Sequence, residues 1–315
     1  MFELFRAKGT IPFMRHKKLA CFLSLLLVSI GLVSLATKGI NWGLDFTGGT
    51  IVEVHYSQPV ELDLVRTTLS KGGVGSPVVQ HFGSSQDVLI RLAPQPGLAP
   101  EALAKQVLTA LEQGSQADFE MRRTEFIGPN IGEEFRDVAF MAALAAIAAI
   151  LVYVSLRFEW RFAVGAVVAL VHDTLMVLGL FSLLQIEFDL TVMAAVMSVI
   201  GYSLNDTVVI FDRVRENFRL LRGVEAAENF DISLTQTLSR TFITAGTTGI
   251  VLISLYLLGG ELLEAFSIAL LFGVFVGTYS SIYAASAVAL WLGVSREDLM
   301  PEVVEKEGAD QAPLL

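Results

Sequence analysis

LTVMAAVMSVIGYSLNDTVVIF, residues 190–211, is the stretch that decides the fold of this 315-residue chain. A bilayer's hydrocarbon core takes about 20 predominantly apolar residues to cross. This run is long enough, and Asp206 is its only formal charge. On translocon-type scales a centrally placed Asp is unfavourable by roughly 2.5–3.5 kcal/mol, so such a carboxylate is paired, faces a polar pathway or carries protons. Asp206 is therefore read first as a functional site.

The rest of the chain agrees with a membrane reading. Hydrophobic residues make up 53% and charged residues only 17%, and mean hydropathy is +0.61, which is wrong for a soluble globular protein of this length. The candidate spans are 18–37, 138–156, 162–184, 190–211, 240–259 and 265–292, with one large hydrophilic block at 38–137. A net charge of -10 with no clustered basic face argues against nucleic acid. Cys21 is the sole cysteine, so neither an intrachain disulfide nor a Cys-based zinc site can form.

Orientation follows from basic residues in the short loops, because Lys and Arg are retained on the cytoplasmic side. Arg6, Lys8, Arg15, Lys17 and Lys18 lie in the segment 1–17 or at the start of span one; Arg157 and Arg161 bracket the turn between spans two and three; Arg213, Arg215, Arg219 and Arg222 follow span four. The opposite turns carry Glu187 and Asp189, then Glu261 and Glu264, without Lys or Arg. Both termini are therefore expected in the cytoplasm and 38–137 outside. The apolar run of span one exceeds the roughly 7–15 residues of a signal-peptide core, so it is read as a retained anchor.

In the exported block the period changes from helical to strand-like. Thr50–Ser57 reads as a strand, 59–71 as a helix stopped by Gly72 and Gly73, Pro77–Phe82 and Val88–Leu92 as strands joined by a hairpin loop through Asp87, Pro100–Leu111 as a helix, and Phe119–Phe126 as a last strand. That β-α-β-β-α-β order predicts a ferredoxin-like α+β domain between membrane helices 1 and 2. His55 and His81 stand alone, with no metal-ligand spacing around them. No catalytic constellation emerges, and the block reads as a binding or coupling module.

Inside the membrane, Ser198, Gly201, Tyr202, Asn205, Asp206 and Val209 recur at three- and four-residue steps, which places them on or near one helical face. Asp206 lies about five residues from the cytoplasmic end, roughly 8 Å deep. Arg240 opens span five, and Thr244, Thr247 and Thr248 follow it at helical spacing. An Arg at comparable depth would favour the ionised carboxylate, so a reversible Asp206–Arg240 pair is the expected relay. His172 and Asp173 sit roughly 15 Å deep in span three, as relay members or as a polar network. The Ala142–Ala149 run and Gly273-xxx-Gly277 read as close helix packing. Residues 212–239 read as a cytoplasmic amphipathic segment with Val214, Phe218 and Leu221 on its apolar side, suited to lying on membrane lipid, and 293–315 as an acidic tail.

NWGLDFTGGT at 41–50, RRTEFIGPNIG at 122–132, GYSLNDTVVIFDRVREN at 201–217 and SLTQTLSRTFITAGTT at 233–248 together closely resemble the SecF family, the smaller-subunit branch of the bacterial SecD–SecF accessory translocases in the resistance-nodulation-division superfamily. The resemblance runs from about residue 15 to the end. It implies a six-span module of the inner membrane, paired with a similar SecD, that uses the proton-motive force to help preproteins through and out of the SecYEG channel, without enzyme chemistry or a bound cofactor. YajC and YidC are further partners it implies. The family's relay residues carry over onto Asp206 and Arg240, the remaining relay carboxylate lying in SecD. Asp45, Gly48 and Gly49 mark the entry to the exported domain. Sodium in place of protons stays open. So do two other classes: a small-molecule or lipid exporter half-module of the same superfamily, and a non-conducting structural subunit.

Overall fold

The structure, a computed structural model, describes residues 9–75, 77–82, 84–95, 98–114 and 118–295. Arg6, Lys8, Gly83 and the expected acidic tail beyond 295 lie outside the described residues. A 3-10 turn, Phe13–His16, leads into α1 (Lys17–Thr37), and a short α2 (Leu44–Thr47) precedes the domain formed by β1 (Gly49–Tyr56), α3 (Leu62–Lys71), β2 (Val78–Phe82), β3 (Ser84–Leu92), α4 (Pro100–Gly114) and β4 (Phe119–Ile127). Then come α5 (Pro129–Arg157), α6 (Trp160–Leu184), α7 (Leu190–Leu220), α8 (Ala226–Leu258), α9 (Glu261–Ser280), a π-helical turn Ser281–Ala285 and α10 (Ser286–Trp291). Among the described residues, 6 helices are long and apolar enough to cross a membrane. The chain is a multi-pass membrane protein.

The sheet order is β2-β3-β1-β4 with every neighbouring pair antiparallel, the split βαβ arrangement expected of a ferredoxin-like domain. Alternation explains it: Val52, Val54 and Tyr56 of β1, Val79 of β2, and Val88, Ile90 and Leu92 of β3 all point to one face, where α3 and α4 bury them with Val65, Leu69, Leu103, Val107 and Leu111. The opposite face carries Glu53 and His55 of β1 with Asp87 and Arg91 of β3, where His55 faces Asp87 and Arg91 faces Ile51 in the register. β3 begins earlier than its loop-like composition suggests. Ser84 is already paired with Phe82, because Asp87 is held in the sheet by His55 Nδ1 at 2.7 Å and by Arg122 at 2.9 Å.

The membrane helices pack through small residues. A Cβ on Gly273 would sit 2.1 Å from Val199, and one on Gly31 would sit 3.1 Å from the Gly179 backbone, so α9 rests on α7 and α1 on α6 at backbone distance. The alanine run in α5 behaves otherwise. Ala142, Ala145, Ala148 and Ala149 are exposed, so among the described residues this small-residue face is left open.

Residues 212–239 depart from the sequence reading. They form no separate helix on lipid: α7 runs on to Leu220 and α8 already starts at Ala226. Val214 and Phe218 are buried in a core shared with Phe230 and Leu234, and Asn217 donates to Ser233 Oγ at 2.8 Å. The apolar stripe seen in the sequence is consumed by the returning helix. The amino-terminal stretch docks on the same helix, with the Met14 amide donating to Asp231 Oδ1 at 2.8 Å.

Candidate functional site

Asp206 lies on α7 facing the interior and is 3% exposed. Its Oδ2 is buried and, among the described residues, has no hydrogen-bond partner. Arg240, in the first half of α8, is exposed; its charge acts on Asp206, yet no direct ion pair joins the two among the described residues. Tyr202, one turn before Asp206, turns its hydroxyl toward Thr244 and Thr248 without completing a hydrogen bond. Thr244 and Thr247 donate instead to the backbone carbonyls of Arg240 and Ile243, at 3.1 and 2.9 Å. Thr247 and Asn205 are exposed. The stripe thus divides: Asp206, Tyr202, Thr244 and Thr248 form the cleft between α7 and α8, while Asn205, Thr247 and Arg240 face outward.

Beside that cleft stands a second carboxylate, and it is satisfied. Asp173 of α6 is fully buried. Its Oδ2 accepts from Ser203 Oγ of α7 at 2.5 Å and from Ser280 Oγ of α9 at 2.8 Å; its Oδ1 lies 2.9 Å from His172 Nδ1. Three helices therefore converge on one side chain. Next to it Thr207 and Ser281 hydroxyls meet at 2.8 Å, where α9 passes into the π-helical turn, and π-turns inside helices recur at functional sites. Sequence reasoning singled out His172 and Asp173 but missed Ser203, Thr207, Ser280 and Ser281. The legible signal was a run of hydroxyls in an apolar span, YSS at 279–281.

The entry motif occupies the opposite end of the helices. Asp45 Oδ2 accepts the Leu190 amide at 3.1 Å, at the start of α7, and the Gly43 amide donates to the Phe188 carbonyl at 2.9 Å while the Phe188 amide donates to Asn41 at 2.8 Å. Trp42, Phe46 and Phe188 stack around these bonds. Gly48 has φ +72°, a region that favours glycine. At Gly49 a Cβ would lie 2.3 Å from the Leu92 carbonyl oxygen. The motif is a fastening: it ties the first strand of the sheet to the turn between α6 and α7.

Fold and site define a class first: a six-helix membrane module with a ferredoxin-like domain inserted after its first helix and a buried, partly unsatisfied carboxylate in its fourth. Residues 106–295 match the family described as protein export membrane protein SecD/SecF, C-terminal, and residues 33–60 match the SecD/SecF GG motif. The chain is 52% identical to a protein translocase subunit SecF of Vibrio alginolyticus, covering 98% of each, and 48% identical to one of Escherichia coli O157:H7, covering 99% of this chain and 97% of that one. The crystal structure of SecDF from Thermus thermophilus, a translocon-associated membrane protein, superimposes with a TM-score of 0.76 at 37% identity over 92% of this chain. The alignment takes up 39% of that longer SecDF chain. The chain belongs to the SecF family.

Proposed function

We propose that this chain is the SecF-type subunit of an accessory protein-translocation complex and that it converts ion movement through the membrane into motion of its exported domain. The observation that carries the reading is the Asp206 Oδ2 atom, buried among apolar helices with no hydrogen bond among the described residues. Taking a charge out of water costs several kcal/mol unless it is paired. A carboxylate kept in that condition changes partners or takes up a proton as the cleft changes shape, which makes it a switch. Asp173, saturated by three donors, is the fixed point against which α7 turns.

The outward-facing set Ser198, Gly201 and Asn205 on α7, with Arg240 and Thr247 on α8, is too polar for hydrocarbon. A second six-helix module of SecD type covers it in this reading and supplies the remaining relay carboxylate; Arg240 then alternates between that partner and Asp206. The coupling ion is the proton, with sodium as the test's other arm. The complex sits in the bacterial inner membrane with both termini of this chain cytoplasmic and the α+β domain outside, where it acts on preproteins leaving the SecYEG channel; YajC and YidC are candidate neighbours. Basic residues at the cytoplasmic ends and carboxylates in the opposite turns support that orientation.

The test is preprotein export and ion flux in vesicles holding this chain with its SecD partner, native against Asp206→Asn, under an imposed proton and then sodium gradient. Loss of export and flux in an assembled mutant complex is expected under the proton gradient. Unchanged export and flux would reduce Asp206 to a structural contact.

A further inference from the structure

A cavity of about 480 Å³ separates the exported sheet from the outer ends of the membrane helices. Its two sides are chemically opposite. From the sheet side come hydrogen-bond donors: Arg66 of α3, Gln80 of β2 and Arg91 of β3. From the membrane side come carboxylates: Glu187 and Asp189 in the turn between α6 and α7, and Glu264 of α9. Gln80 is 4% exposed, yet its Nε2 and the Nε of Arg91 are buried without a hydrogen-bond partner among the described residues. Buried donors in folded proteins are ordinarily paired, and acceptors for these two stand across the gap.

We propose that Arg91 and Glu187 are the two halves of a joint that seats the exported sheet on the outer end of the membrane helices, and that the charge on Glu187 decides whether the joint is closed. In the closed seat Arg91 and Gln80 donate to Glu187 and Glu264 across the space that now separates them. Arg66 is engaged elsewhere, donating to the Val79 carbonyl at 2.8 Å, and steadies β2. Asp189 caps α7 with two bonds, accepting from the Val192 amide and from Thr191, which leaves Glu264 and Glu187, the latter steadied by the Leu44 amide, as the membrane-side acceptors across from Arg91.

The groups around Glu187 fix the direction of its response. Burial pushes its carboxyl above the usual range; Arg91 pulls the other way, Asp189 pushes it up again, the Leu44 amide steadies the anion, and Asp45 adds to the upward push. A carboxyl raised in this way is protonated early as pH falls, and the neutral acid gives Arg91 no charge to meet. Acid on the outer side thus opens the seat, and neutral pH closes it. The same turn is fastened to the entry motif, since Gly43 bonds Phe188 and Asp45 bonds Leu190. A change at Glu187 therefore bears on the start of α7, the helix that carries Asp206.

The role as a coupling joint rests on the ion-driven reading given above, whereas the seat and its response to acid do not. Spin labels on cysteines placed at Val78 of β2 and Ile268 of α9, which line opposite sides of the cavity, measure the gap in the full chain in vesicles with Cys21 changed to Ser. The native pair is expected to show a short-distance population at outer pH about 7.5 that falls several-fold by about pH 5, each pH unit being tenfold in proton activity. Glu187→Gln should hold the acid-form distribution at both pH values, Arg91→Glu should lose the short population, and Arg91→Glu with Glu187→Arg should regain it. Identical distributions in native and Arg91→Glu chains, or a native distribution indifferent to outer pH, overturn the proposal. Asp206→Asn separates the two ideas: loss of its effect on export removes the ion-driven reading, while the response of the gap to outer pH stands or falls by itself.

Discussion

Ser203 and Asp206 stand three residues apart on α7 and are both buried, yet Ser203 donates a 2.5 Å hydrogen bond to Asp173 while the Asp206 Oδ2 finds no partner among the described residues. One side chain ties α7 to α6, and the next turn carries a buried carboxylate with one open oxygen. In the ion-driven reading proposed above, the first contact is the pivot and the second supplies the bias between two states.

Asp206→Asn is expected to remove ion flux without unfolding the protein. The amide keeps the shape and cannot ionise, so the desolvation cost of a buried charge disappears. Thermal stability in detergent should stay level or rise while flux in vesicles falls to background. A mutant that loses flux and melts well below the native chain would instead mark Asp206 as a structural residue.

Asp173→Ala should do the reverse. It strands the Ser203 hydroxyl and the Nδ1 of His172 and leaves the Ser280 hydroxyl only the Gly277 carbonyl at 3.1 Å, and each buried donor left without its acceptor costs about 1–3 kcal/mol. The prediction is a large drop in unfolding midpoint by calorimetry or denaturant titration. Asp173→Asn, which retains acceptor capacity for at least one hydroxyl, should recover part of the loss. Equal midpoints for all three chains would remove Asp173 from the pivot role.

What could be read from the sequence followed periodicity. Period-two runs such as Thr50–Ser57 and apolar spans of about 20 residues are local properties, so the six spans and the ferredoxin-like order are legible in the sequence. The convergence of Asp173, Ser203 and Ser280 was not, because it depends on how three helices rotate and cross. The same limit explains the segment 212–239: its apolar stripe was visible, but a stripe does not say whether lipid or a returning helix covers it. Gly48 and Gly49 were noticed as a motif, and their reason appeared only with the positive φ of the first and the 2.3 Å approach of Leu92 to the second.

Gly49→Ala is accordingly expected to loosen the entrance of β1. The added methyl meets the Leu92 backbone oxygen, which cannot rotate away as a side-chain end can, and overpacking of this kind costs about 1–3 kcal/mol. Limited proteolysis should show faster cleavage around β1 in the mutant, with the helices of the membrane part intact. Cleavage at the native rate would mean that β1 and β3 can separate at this pair without cost.

Asp87 gives the α+β domain an acid limit. Its carboxylate accepts from Ser84 Oγ at 2.6 Å and pairs with His55 and Arg122; the bonds from Ser84 and His55, opposed by burial and aided by the charge of Arg122 and then of His55, hold it below the ordinary carboxylate range. For a carboxylate lowered by folding, the native state binds fewer protons than the unfolded chain. Its stabilisation is then present above the unfolded value of about 3.9 and lost as pH falls through the folded one. Asp87→Asn should therefore be less stable than the native chain at neutral pH, with the gap closing below about pH 4. Hydrogen exchange of β3 amides in the full chain, followed from neutral to acid pH, measures that gap directly. Since Asp87 anchors one end of β3 and Arg91 stands near the other, loosening this pairing should also weaken the seat on Glu187. A gap that stays constant across the range would assign the loss to hydrogen-bond shape alone and leave the charge of Asp87 without a role.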